Sequence, residues 1–305
     1  MLSAKTVAIT GANGFLGRHC LTNAIQMGIT AKGIVRRTEA AEVIENIGAE
    51  PIIMKHFDKE AFTQAFKGCD GVLHFIGIVN ERYGTFQEVN IMGTRLVLES
   101  AYKSRVSRFV VPSGLGADQY GKKAWATNGY FASKRYIEQM CQSNPVSYVI
   151  FRPSYILGPG DELLPNLVND ILQGRVLVAG EGNTPMQPIF VEDAATAFLR
   201  AATGLGNANS IYDLVGPETI SFMQLIPRIA NIMRSEGLTV PIYEVQNVPL
   251  EKAAEVLGLS QEEIDVMLCD VLGDPERFTR DFGISLTPLD EAIRAAVRAE
   301  KTEDG

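Results

Sequence analysis

A chain of 305 residues, 46% of them hydrophobic, can bury one large core and a smaller lobe, which excludes a simple tail or binding peptide. A formal net charge of -8 with no block of like charges argues against a nucleic-acid surface and for an ordinary acidic soluble protein. The four cysteines, Cys20, Cys69, Cys141 and Cys269, lie far apart with no CxxC pair, so neither a zinc cluster nor a disulfide framework is indicated and a reducing compartment fits.

Met1 to Lys5 leads at once into a strand-like run, leaving no room for a signal peptide, and no apolar stretch is long enough to span a bilayer. The expected location is cytoplasmic, with peripheral attachment at the inner face of a membrane as the alternative. Through the first half, short apolar β-like runs at Thr6 to Thr10, Lys32 to Val35, Pro51 to Met54, Gly71 to Ile76, Arg108 to Pro112 and Ser147 to Phe151 alternate with helical periodicity. The spacing predicts those helices at Gly17 to Met27, Ala40 to Ile47, Lys59 to Phe66, Asn90 to Tyr102 and Gly129 to Gln142. This alternation predicts an α/β fold of the Rossmann type, a doubly wound parallel sheet with helices on both faces.

The first run enters Gly11-Ala12-Asn13-Gly14-Phe15-Leu16-Gly17 and then a helix. Gly11 permits a tight turn, Gly14 lets backbone approach a pyrophosphate, and Gly17 allows close helix packing, while the helix start offers free N–H groups to an anion. The spacing is one residue longer than the usual GxGxxG, and the plainer reading is a structural turn. At the end of the second strand, where a dinucleotide's adenosine ribose would lie, the sequence reads Val35-Arg36-Arg37-Thr38. Two guanidiniums and no carboxylate favour the 2'-phosphate of NADP(H) over NAD(H); the alternative is a pair of surface arginines.

Further along, Tyr130 and Lys134 stand four apart at the start of a helix and share a face. A lysine ammonium beside a phenol favours the phenolate, which suits the tyrosine to proton transfer at a carbonyl or alcohol. After Phe151 the rhythm breaks at Arg152-Pro153-Ser154-Tyr155-Ile156-Leu157-Gly158-Pro159. Residues 1–153, with a return segment at about 186–215, are expected to form the dinucleotide-binding domain, and 154–185 with 216–305 a smaller, mostly helical substrate or partner lobe. Ser260-Gln261-Glu262-Glu263 has the pattern of a capping box, a structural feature. His19, His56 and His74 have no metal-ligand spacing and are read as structural, and Trp125 either caps a substrate pocket or pins a loop.

With these pieces in place the chain resembles the short-chain dehydrogenase/reductase superfamily, in its extended or atypical branch, over nearly its whole length. The resemblance rests on Gly11 to Gly17, Asp58, Asn90 in Asn90-Ile91-Met92-Gly93-Thr94, Tyr130 with Lys134, and Arg152-Pro153. It implies that Asp58 contacts adenine, Ile76 and Gly77 line the dinucleotide, Lys134 bonds the nicotinamide ribose, and Pro153 to Ile156, with Tyr155, border the nicotinamide. It makes Tyr130 the acid/base. Phe75-Ile76-Gly77-Ile78, Pro112-Ser113-Gly114-Leu115-Gly116-Ala117-Asp118 and Gln187-Pro188-Ile189-Phe190-Val191 resemble most the family of the NADPH-binding accessory subunit of respiratory complex I (alpha-subcomplex subunit 9) and its epimerase/dehydratase-like bacterial relatives.

Two departures from the family pattern follow. Counted from Ser113, the place of the serine or threonine that holds the substrate oxygen carries Leu115, so Ser113 is left as the candidate hydroxyl. Tyr155 or Ser154 stands where nucleotide-sugar enzymes carry an asparagine, which disfavours such a substrate. The expected function is an NADP(H)-dependent oxidoreductase of a small carbonyl or alcohol. The alternatives are a non-catalytic, NADPH-holding accessory or assembly subunit of a respiratory complex and a nucleotide-sugar epimerase or dehydratase. Neither the substrate nor the oligomeric state is legible.

Overall fold

The six alternating runs of the first half assemble with one later strand, in a computed structural model that describes residues 5–303, into one parallel sheet of seven strands. Met1 to Ala4, the lead-in read above, and the last two residues of the acidic tail lie outside the described residues. The strands are β1 (Thr6–Thr10), β2 (Thr30–Val35), β3 (Glu50–Ile53), β4 (Gly71–His74), β5 (Arg108–Pro112), β6 (Tyr148–Pro153) and, after three strands that lie outside this sheet, β10 (Ser210–Leu214). Their order across the sheet is β10-β6-β5-β4-β1-β2-β3, so the direction of winding reverses between β1 and β4. In open α/β sheets such a reversal opens a crevice at the carboxyl ends of the strands.

Both faces of the sheet are covered, which explains why its strands read as nearly continuous apolar runs. Because successive side chains alternate, Val7 and Ile9 enter one core while Ala8 enters the other, and Val110 is opposed to Phe109 and Val111 in the same way. The first core is closed by α1 (Phe15–Gln26), α2 (Thr38–Ile47) and the later α7 (Val191–Ala202). The second is closed by α3 (Lys59–Ala65), α4 (Gly93–Lys103) and α5 (Gly129–Ser143). A π-helical turn, Gln87–Met92, precedes α4 where an α-helix starting at Asn90 was expected.

A separate apolar cluster gathers α6 (Leu163–Leu172), α8 (Phe222–Ser235) and α12 (Leu289–Glu303). Beside it lies a two-stranded parallel sheet of β8 (Arg175–Ala179) and β11 (Glu244–Val248), which the helical reading of this stretch did not anticipate. The short β7 (Ile156–Leu157) pairs with β9 (Ile189–Phe190). The stretch is completed by α9 (Leu250–Leu257), α10 (Gln261–Met267) and α11 (Pro275–Phe282). The capping box at the start of α10 is formed: Glu263 N–H donates to Ser260 Oγ at 3.2 Å, and Ser260 N–H to the Glu263 carboxylate at 2.7 Å. One element crosses the expected division, since α11 lies within 216–305 yet buries Phe278 and Phe282 in the core of the large sheet. Among the described residues no helix is long and apolar enough to cross a membrane.

Candidate active site

The glycine turn sits at the reversal point. Gly11 has φ +68, and a Cβ on it would come within 2.9 Å of the Phe75 carbonyl carbon just past β4, so both conformation and space require glycine there. A Cβ on Gly17 would approach the carbonyl oxygen of Gly11 to 2.4 Å, which is why the helix can lie so close on the turn. Asn13 and Gly14 are exposed at the tip, and Gly14 N–H donates back to the Gly11 carbonyl at 3.0 Å. No side chain caps α1, and the N–H groups of Phe15 and Leu16 find no acceptor among the described residues. Unsatisfied donors at a helix start above a side-chain-free cradle fit the pyrophosphate of a dinucleotide.

Around this turn, Arg36 and Arg37 are exposed just past β2, and the guanidinium of Arg36 lies 5.9 Å from the ring centre of Phe57. Neither forms a salt bridge among the described residues, so both remain available to an anion. Asp58 accepts the Ala61 N–H at 2.8 Å as the N-cap of α3, a structural task that holds its carboxylate beside Phe57. Ile76 is half-buried and Gly77 exposed on the segment leaving β4. Asn90 is fully buried: it accepts from Ile78 N–H at 2.8 Å and donates to Ile78 O at 3.0 Å and Ser133 Oγ at 2.9 Å. It thereby ties the segment after β4 to α5, the helix that carries Tyr130 and Lys134.

The two side chains do share a face of α5. The Lys134 ammonium stands 5.7 Å from the centre of the Tyr130 ring and donates to the Pro112 carbonyl at 3.3 Å. A Cβ on Gly77 would lie 3.9 Å from it, which places the ammonium between the ends of β4 and β5. Burial lowers the Lys134 pKa to about 8. Burial, and then the nearby Cys269 thiol, push the Tyr130 phenol well above its ordinary value, so desolvation outweighs the lowering expected from the lysine.

Ser113, the candidate partner hydroxyl, has its hydroxyl engaged by a carboxylate. It is buried and donates to Glu138 Oε1 at 2.8 Å, in a cluster where Arg152 forks onto both oxygens of Glu138 at 2.7 and 2.8 Å. That cluster binds β6 to α5. The residue against the Tyr130 hydroxyl is Gly114, where a Cβ would come within 2.9 Å of the phenol oxygen. Leu115 instead lines a cavity of about 130 Å³ together with Tyr130, Phe131, Pro153, Ser154 and Tyr155. Ile156 opens β7 and packs against the core of the large sheet.

The same cavity is closed from the other side by Met186, Val266, Cys269 and Val271, residues that carried no sequence signal. The segment bearing Val266, Cys269 and Val271 is fastened to the loops of the first half. Asn128 donates to Asp265 at 2.8 Å, Asn80 to Glu263 at 3.1 Å, and Trp125 Nε1 to Asp270 at 3.2 Å. Trp125 also packs on Phe131, with ring centres 5.1 Å apart, and thus pins a loop. His19 has acceptors at both nitrogens, Glu192 at 2.7 Å and the Pro159 carbonyl at 2.9 Å, a role in structure and not in chemistry.

Comparison with known proteins shows the family and the fold. Residues 7–214 match the NAD dependent epimerase/dehydratase family. The chain is 26% identical over 270 residues, 83% of its length and 79% of the relative's, to a 4-hydroxy-2-methyl-3-oxo-4-farnesyl-3,4-dihydroquinoline-1-oxide ketoreductase of Stigmatella aurantiaca. It is 26% identical over 307 residues, 93% of its length and 76% of the relative's, to the mitochondrial NADH-ubiquinone oxidoreductase 40 kDa subunit of Neurospora crassa. In fold it is similar to a UDP-glucose 4-epimerase of Thermotoga maritima, with a TM-score of 0.76, 18% identity and coverage of 98% and 100% of the two chains.

Proposed function

The chain belongs to the NAD dependent epimerase/dehydratase family, within the extended branch of the short-chain dehydrogenases/reductases, and from that premise we propose that it is an NADP(H)-dependent reductase of a carbonyl substrate. The observation that carries the reading is the placement of Tyr130 and Lys134 on one helix face, with Tyr130 lining a cavity. The turn from Gly11 to Gly17 would hold the pyrophosphate, Arg36 and Arg37 the 2'-phosphate, and Lys134 the nicotinamide ribose. When bound, the nicotinamide supplies a hydride to the carbonyl carbon. Tyr130, kept protonated by its burial, gives its proton to the carbonyl oxygen, and the product is the alcohol. The Lys134 ammonium beside the ring stabilises the phenolate left behind.

The test is Tyr130→Phe. Reduction of ketones by NADPH should fall by about 10²- to 10⁴-fold while NADPH binding by calorimetry is retained. Full turnover in this variant would end the proposal. For the cofactor, NADPH should raise the melting temperature more than NADH does, and Arg36→Ala with Arg37→Ala should remove the difference. An equal shift for both nucleotides in the unaltered protein would count against the arginine clamp.

A second reading has specific support. Gly114 packs on the phenol, the Ser113 hydroxyl is engaged by Glu138, and the relative from Neurospora crassa is named as the 40 kDa subunit of an NADH-ubiquinone oxidoreductase. Under that reading NADPH is a structural ligand that stabilises the folded chain by binding. Absence of turnover with any carbonyl, together with tight NADPH binding, would favour it. A nucleotide-sugar reading finds less support, because the cavity beside Tyr130 offers no lysine, arginine or histidine to a diphosphate.

A further inference from the structure

A second cavity, of about 500 Å³, lies between α6, β8, α8 and the α9–α10 segment. It shares Tyr155 and Val266 with the smaller cavity at Tyr130, so the two meet at one wall. Its apolar lining includes Leu163, Leu167, Leu177, Phe222, Leu257 and Met267. No lysine, arginine or histidine lines either cavity, and the charged residues of the larger one are Glu162, Asp170 and Glu263. At the junction the Tyr155 hydroxyl is buried without a hydrogen-bond partner. A buried hydroxyl left unmatched is unfavourable, and it lies behind the wall and not on its surface, so the side chain presents its ring to the junction.

We propose that the larger cavity is a tail site, and that the substrate is a ketone or aldehyde carrying an uncharged aliphatic chain, with its carbonyl at Tyr130 and its chain running past Tyr155 into the lobe. The proposal rests on the reductase reading for the position of the carbonyl. The acidic lining repels a carboxylate, phosphate or coenzyme A group on the chain, while the leucine and methionine walls offer only apolar contact. The size of the cavity lies in the range of sites that enclose a whole small molecule.

Linear alcohols from butanol to dodecanol are the probe, titrated by calorimetry into the NADPH-loaded protein. Affinity is expected to rise about fourfold for each added methylene until the cavity is full. The carboxylate of equal length should bind more weakly than the alcohol. Leu163→Trp should fill the cavity and flatten the dependence on chain length, with butanol affinity unchanged. Should that variant fold poorly, Val79→Lys, on an exposed loop at the same cavity, should have the same effect. Affinity independent of chain length, or a dependence that survives both variants, would overturn the tail site. Tyr130→Phe separates the two proposals, because it should lower turnover by about 10²- to 10⁴-fold and keep the chain-length dependence. Turnover of short ketones without any such dependence would refute the tail site alone, and chain-dependent binding without turnover would refute the reductase alone.

Discussion

His74 is the residue at which burial has the clearest consequence for the folded state. It is enclosed between the Thr10 hydroxyl, 2.8 Å from Nδ1, and the Thr94 hydroxyl, 3.0 Å from Nε2, and both can serve a neutral ring. Burial, and then the charge of Lys134, lower its pKa to about 3 from an ordinary 6.5. Between those values the unfolded chain binds a proton that the folded chain does not. The stability from His74 is therefore present above pH 6.5 and is lost as pH falls, by about 1.4 kcal/mol per unit within that window. His19 has the opposite sign: burial lowers its pKa, but Glu192 and the Pro159 carbonyl raise it by more, so its contribution is lost as pH rises. Comparing urea midpoints at pH 7 and pH 5 in the unaltered protein and in His74→Asn isolates the first effect, and the variant should show the smaller drop. Equal drops would mean that the ring is not the titrating group. Gly114 gives a prediction of a different kind. Gly114→Val would force the Tyr130 hydroxyl off the cavity wall, and a displacement of that order lowers turnover by about 10²-fold while NADPH affinity stays the same.

Among the elements, α11 combines weak sequence signals with a large energetic role. Phe278 and Phe282 are fully buried, and the Phe282 ring lies 5.3 Å from that of Phe151 and 5.0 Å from that of Tyr212, centre to centre. Phe282→Ala should destabilise the chain by about 3–5 kcal/mol, read from chemical denaturation, even though it lies in a stretch assigned to the other lobe. A loss under 1 kcal/mol would show that α11 is only loosely docked. That helix was misassigned because an amphipathic period tells which face is buried, not which core it meets. The turn between β1 and α1 was legible because it needs particular residues at fixed spacing: Gly11 for its φ and Gly17 for the space over the Gly11 carbonyl. The pairing of β8 with β11 was not, since each strand is short and its partner is distant along the chain. The π-helical turn at Asn90 has no compositional signature, and counting from Ser113 pointed to Leu115 because a count cannot say which Cα meets the phenol.

At the scale of the whole molecule, the site exists only where the lobe closes on the large sheet, and Cys269 sits in that seam. Its thiol meets the Leu115 carbonyl at 3.5 Å across the boundary. Cys20, Cys69 and Cys141 are buried, so Cys269 is the half-exposed thiol among the four. Burial pushes its pKa to about 11, leaving roughly one part in a thousand ionised at pH 8. Ellman's reagent should therefore titrate one thiol of the native chain, and slowly. The segment that carries it is held by the Trp125 to Asp270 bond and by Arg82, which donates to the Gly258 carbonyl and to Glu263. If closure of the seam controls access, Trp125→Phe and Arg82→Ala should each speed the reaction without changing the number of thiols modified. NADPH with dodecanol should slow it, because a chain in the tail site fills the space behind Val266. Rates unmoved by either variant would mean that the lobe is fixed on the sheet, and that substrate enters through an opening other than this seam.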